Sequence, residues 1–71
     1  MTYSELEFRH PELMRKISNA HNLKGRVRKV TNDEVKTIKN LDEWRDGYFP
    51  YGGGLMCLEK RENGQYVIFT I

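Results

Sequence analysis

Between Leu55 and Ile71, apolar and polar residues alternate about Asn63-Gly64, which predicts a β-hairpin with a two-residue turn. A type I′ turn needs φ > 0 at both central positions, and Asn and Gly adopt it at least cost. Glu62 then faces Gln65, and counting outward sets Arg61 opposite Tyr66, Lys60 opposite Val67, Glu59 opposite Ile68, Leu58 opposite Phe69, Cys57 opposite Thr70 and Met56 opposite Ile71. Opposed residues share a face and successive pairs alternate. One face therefore carries Met56, Leu58, Val67, Phe69 and Ile71, with the Lys60 stem at its edge, and is expected to be core. The other carries Cys57, Glu59, Arg61, Tyr66, Ile68 and Thr70, a mixed surface suited to solvent, a covering helix or a partner.

Upstream the periodicity changes. From Tyr3 to Arg9, Ser4, Leu6 and Phe8 alternate with Glu5, Glu7 and Arg9, which favours a short edge strand or extended arm. Ser4 and Glu7 have capping-box spacing, but Pro11 cuts such a helix short. Pro11 instead suits the first turn of a helix running to about Asn22, with Leu13, Met14, Ile17 and Ala20 on one stripe. Gly25 reads as a turn and Arg26 to Thr31 as a strand. Thr31 with Glu34, and Val35 one helical turn from Ile38, argue for helix from about residue 33. A hairpin about Asn32-Asp33 is the alternative, but it opposes Lys29 to Lys36 and Arg26 to Lys39, and like charges across a ladder repel. Asn40 with Glu43 repeats the cap signal, extending the expected helix through Asp46. Gly47 to Gly54, GYFPYGGG, reads as a loop.

Composition narrows this to one small domain. A chain of 71 residues with 38% hydrophobic and 31% charged residues has a core, but one near the lower limit for independent stability. A single cysteine, Cys57, excludes an intrachain disulfide, and the chain carries neither a signal-like leader nor a long apolar run. A cytoplasmic location is expected. The net charge of +2 conceals an asymmetry, because residues 1–31 hold seven Lys/Arg against three acids and residues 32–71 hold five against seven. Such a dipolar surface steers an acidic partner without identifying it.

Four groups of residues carry candidate chemistry. Lys24, Arg26, Arg28 and Lys29, with Arg15 and Lys16 on the preceding helix, form a basic run of the kind phosphate backbones reward, although in a strand Lys29 leaves the face shared by Arg26 and Arg28. Tyr48, Phe49 and Tyr51 on a glycine-flanked loop, near Trp44, have the character of interface anchors or of a cap on the core. Their glycines precede a strand and lack the Lys-Ser/Thr of a phosphate-binding loop. Cys57, His10 and His21 have neither metal-ligand nor nucleophile spacing, so no cofactor or metal is expected. Arg61 opposite Tyr66 offers a stacked pair, and the strand ending at Ile71 offers an edge for self-association if it lies outermost.

The expected architecture is α+β, a small antiparallel sheet that includes the C-terminal hairpin, packed against one or two helices. No nucleophile, base and oxyanion donors assemble from the inventory, so an enzyme is not expected. The expected function is a non-catalytic binding protein, a regulator or inhibitor occupying the surface of a larger protein, with the nucleic-acid machinery as a setting suited to its charge. Its expected contacts are Arg26, Arg28, Lys29, Tyr48, Phe49, Tyr51, Arg61 and Tyr66. Direct nucleic-acid binding through the basic strand 24–31 and assembly through the C-terminal strand are the alternatives.

Overall fold

The computed structural model describes residues 1–23 and 26–71, so the expected turn at Gly25 and the basic position Lys24 lie outside the described residues. The chain opens with a helix, not a strand or an arm: α1 spans Tyr3–Arg9. Its capping box closes two residues earlier than Ser4 and Glu7, at Thr2 and Glu5. Thr2 Oγ1 accepts the Glu5 N–H, and the Glu5 carboxylate accepts the Thr2 N–H, both at 3.2 Å. The apparent alternation has no structural meaning, because Leu6 is fully buried while Phe8 is almost fully exposed. His10 ends α1, and Pro11 opens α2, Pro11–Asn22, which buries Leu13, Ile17 and Ala20 as its stripe requires.

The expected strand shrinks to β1, Arg28–Val30. A full capping box then starts α3, Asn32–Lys39: Thr31 Oγ1 accepts from Glu34 N at 3.1 Å, and Glu34 Oε1 from Thr31 N at 2.8 Å. Helix, not hairpin, is the outcome, but it stops at Lys39 and does not reach Asp46. Residues 40–46 are turns, because the chain must reverse to enter the sheet. Arg45 N donates to Tyr48 O at 2.7 Å and Tyr48 N to Arg45 O at 2.6 Å.

Residues 47–54 are not a loop. Tyr48–Tyr51 is strand β2, paired antiparallel with β3, Gly54–Lys60. Gly52 and Gly53 form the two-residue connection with φ of 59° and 83°, so the turn with two positive central φ values lies here and not at Asn63-Gly64. Asn63 keeps a negative φ, and only Gly64 is left-handed, at 86°. The Arg61 N–H donates to Gln65 O at 2.8 Å, which makes the connection between β3 and β4, Tyr66–Thr70, a three-residue loop.

That extra residue shifts the register by one. Lys60 pairs with Tyr66, Glu59 with Val67, Leu58 with Ile68, Cys57 with Phe69 and Met56 with Thr70. The expected face holds for β3 and is inverted for β4, since a one-residue slip turns every side chain of a strand over. Tyr66, Ile68 and Thr70 face the core with Met56 and Leu58, and Val67 and Phe69 face the other way with Cys57 and Glu59.

The antiparallel sheet has order β1-β4-β3-β2. The C-terminal strand is therefore an inner strand: β3 pairs with Tyr66–Thr70 and β1 with Tyr66 to Ile68, so the outermost strands are β1 and β2 and not β4. The three helices lie on one face. Leu6, Leu13, Ile17, Ala20, Val35 and Ile38 join Val30, Phe49, Met56 and Ile68 in a single core cluster. Thr70 Oγ1 donates to Ala20 O at 3.2 Å, and the Tyr51 and Ser18 hydroxyls are 3.0 Å apart, so α2 is fastened across the sheet.

Candidate functional site

With all three helices on one side, the other side of the sheet has no helix across it among the described residues. Its side chains follow from the register. One row runs Tyr48, Cys57, Phe69 across β2, β3 and β4. The next carries Pro50 and Leu55, with Ile71 N donating to Leu55 O at 3.2 Å. On the opposite flank the row is Lys29, Val67, Glu59. Tyr48 and Leu55 are 40% and 41% exposed, well beyond ordinary core values, while Cys57 and Phe69 are half-buried. Val67 is the exception, buried at 3% although it lies outside the core cluster, between two long charged side chains whose stems can cover it.

The face is thus an apolar strip bounded by charge. Lys29 and Glu59 are exposed, and Arg61 Nη1 sits 3.0 Å from Glu59 Oε1. Cys57 lies between Tyr48 and Phe69. Burial, helped by the nearby Glu59 carboxylate, pushes its thiol above the usual range and favours the uncharged form.

The eight residues expected to make contact are not brought together. Tyr48 and Lys29 lie on the open face, and Arg61 follows the end of β3 beside Glu59. Phe49 is fully buried and cannot touch a partner, because β2 alternates and Phe49 pairs with Met56 on the core side. Tyr51 and Tyr66 also point to the core side, where Tyr51 stacks edge-on with Tyr3 and His21 at centroid distances of 5.9 and 5.5 Å. The expected Arg61–Tyr66 stack does not form, because Tyr66 pairs with Lys60, whose Nζ is 5.8 Å from the ring centroid.

The basic strand does not form one patch either. Arg26 is exposed ahead of β1, and Lys29 lies on the open face. Arg28 shares the row of Ile68 and Leu58 under the helices, with its Nε buried and without a hydrogen-bond partner. Lys16 is committed to Glu34 at 2.7 Å. Burial raises the Glu34 carboxyl, but the Lys16 hydrogen bond, the Thr31 backbone N–H and the Lys16 charge outweigh it and hold the group below its ordinary value.

Leu55 and Phe69 were hidden from sequence reasoning, Phe69 because the two-residue turn placed it in the core. The signal that finds it is the alternative three-residue loop, with Gly64 alone left-handed. No family model matches the chain, and no curated protein or solved structure matches it either. Function must therefore be argued from the sites themselves.

Proposed function

We propose that the chain is a small non-catalytic binding protein, a regulator or inhibitor that docks its open sheet face on a larger protein in the cytoplasm. The observation that carries this reading is the strip Tyr48, Pro50, Leu55, Cys57 and Phe69 left uncovered on the side of the sheet away from the helices. A contiguous apolar patch with a charged border marks an interaction surface more often than a random part of a small protein's exterior. A flat antiparallel face suits a helix or a second sheet laid on it. Lys29, Glu59 and Arg61 would sit at the rim, setting orientation and encounter rate more than affinity. Catalysis fits poorly, since the one thiol on this face is pushed toward its protonated, less nucleophilic form.

Affinity capture tests the reading. Wild-type chain carrying an affinity tag recovers a dominant protein from a lysate of the cells that make it. The variant Tyr48→Lys with Leu55→Lys, which places two charges in the strip, loses that protein while staying folded by circular dichroism. Arg9→Glu on α1, on the helical side, keeps it. Retention by the sheet-face variant excludes this surface.

A further inference from the structure

We infer a second binding site, a lysine-lined groove between α3 and the adjacent end of the sheet, which takes single-stranded nucleic acid. It lies on the helical side and stands independently of the apolar face. The groove, of about 420 Å³, is lined by Asn32, Val35, Lys36, Lys39, Lys60 and Tyr66.

The charge is unbalanced at this place. Lys36, Lys39 and Lys60 come from α3 and β3, and none of the three has an ion-pair partner among the described residues. Among the described residues no carboxylate lines the groove. Glu34 on α3 is held by Lys16; Glu59 and Glu62 line the neighbouring depression, which Lys60 also borders, and Glu59 is held by Arg61. Three ammonium groups facing one groove repel each other, and an anionic chain relieves that repulsion while releasing its own counterions.

The floor of the groove decides which anionic chain. Tyr66 is half-buried, with one part of its ring packed on the core and another lining the groove beneath the Lys60 ammonium. A recessed aromatic surface under a ring of positive charge is the arrangement on which an unstacked base rests while its phosphates meet lysines. A duplex keeps its bases stacked inside and cannot offer one to a recessed ring. A purely acidic peptide such as oligoglutamate would satisfy the lysines but has no ring to place there. Because lysine acts as a point charge and no arginine among the described residues lines the groove, the site reads backbone and stacking, not sequence.

Fluorescence anisotropy with oligothymidine, a duplex of equal length and oligoglutamate tests this across salt concentrations from about 50 to 200 mM. The expected result is binding of oligothymidine in preference to both others. Lys36→Gln with Lys39→Gln should weaken it and flatten the slope of log affinity against log salt by about 0.7 per lysine removed. Tyr66→Leu should weaken binding by about tenfold with the slope unchanged. Arg9→Gln with Arg15→Gln, on helix surfaces away from the groove, should change neither. Absence of oligothymidine binding at low salt overturns the proposal, as does a slope indifferent to Lys36 and Lys39. Equal or tighter binding of oligoglutamate or duplex overturns it too. The lysines are exposed or at the rim, so their variants stay folded and the test does not depend on Tyr66.

Discussion

Two glycines show how much a single backbone angle decides in this chain. Gly52 and Gly64 both have left-handed φ, 59° and 86°, which costs an L-residue roughly 1–2 kcal/mol. They differ in what surrounds them. A Cβ at Gly64 meets nothing within 4 Å, whereas one at Gly52 falls 2.5 Å from two atoms of the His21 ring. His21 is packed edge-on against Tyr51, which is bonded in turn to Ser18, so the ring has little room to yield. Gly64→Ala is therefore expected to lower unfolding free energy by about 1 kcal/mol and Gly52→Ala by distinctly more, at least about 2 kcal/mol. Urea denaturation of the two variants checks the order. Equal losses would mean that His21 does not rest against the β2–β3 turn.

At the scale of elements, the register of β3 against β4 determines what the sheet can do. Ile68 is fully buried on the helical side and Phe69 is half-buried on the open side. Ile68→Ala should cost about 2–5 kcal/mol, as a methylene deletion in a closed core does, while Phe69→Ala costs appreciably less although it removes a larger side chain. The hairpin register expected from Asn63-Gly64 as a type I′ turn predicts the reverse order, so thermal or urea unfolding of the pair separates the two registers. The elements that the sequence made legible were those whose signals were local and unopposed. α2 follows from Pro11 and one apolar stripe, and α3 from the Thr31–Glu34 box together with the charge repulsion that the alternative hairpin would impose. The misread elements had two local solutions of similar cost. Asn63-Gly64 serves a two-residue or a three-residue loop equally well, and only the cover that α2 places on Ile68 and Thr70 selects between them. For the same reason the candidate face was half legible: Cys57 follows from β3, but Tyr48 lies on a strand that reads as a loop in the sequence, and Phe69 depends on the loop length. The lysine groove was less legible still, because Lys36, Lys39 and Lys60 meet only once α3 and β3 are assembled.

For the molecule as a whole, the arrangement is two layers with all helical cover on one side. A chain of 71 residues can complete one core, and the second face of its sheet is left with Tyr48, Leu55 and Phe69 facing outward. Such a face stays apolar at some cost to solubility, which is readily understood if a partner covers it for part of its life. A partner that binds only the folded chain also raises its apparent stability by mass action. The groove on the helical side would leave that face unobstructed, so both sites can be occupied at once. Cys57 supplies a direct reporter, since it is the chain's sole cysteine and lies on the open face between Tyr48 and Phe69. The measurement that decides the central claim is the rate at which a small maleimide modifies Cys57 in the free chain and in the complex captured by it. Docking through the open sheet face predicts modification several times slower in the complex. An unchanged rate in a complex of defined stoichiometry would contradict it and place the partner elsewhere on the molecule.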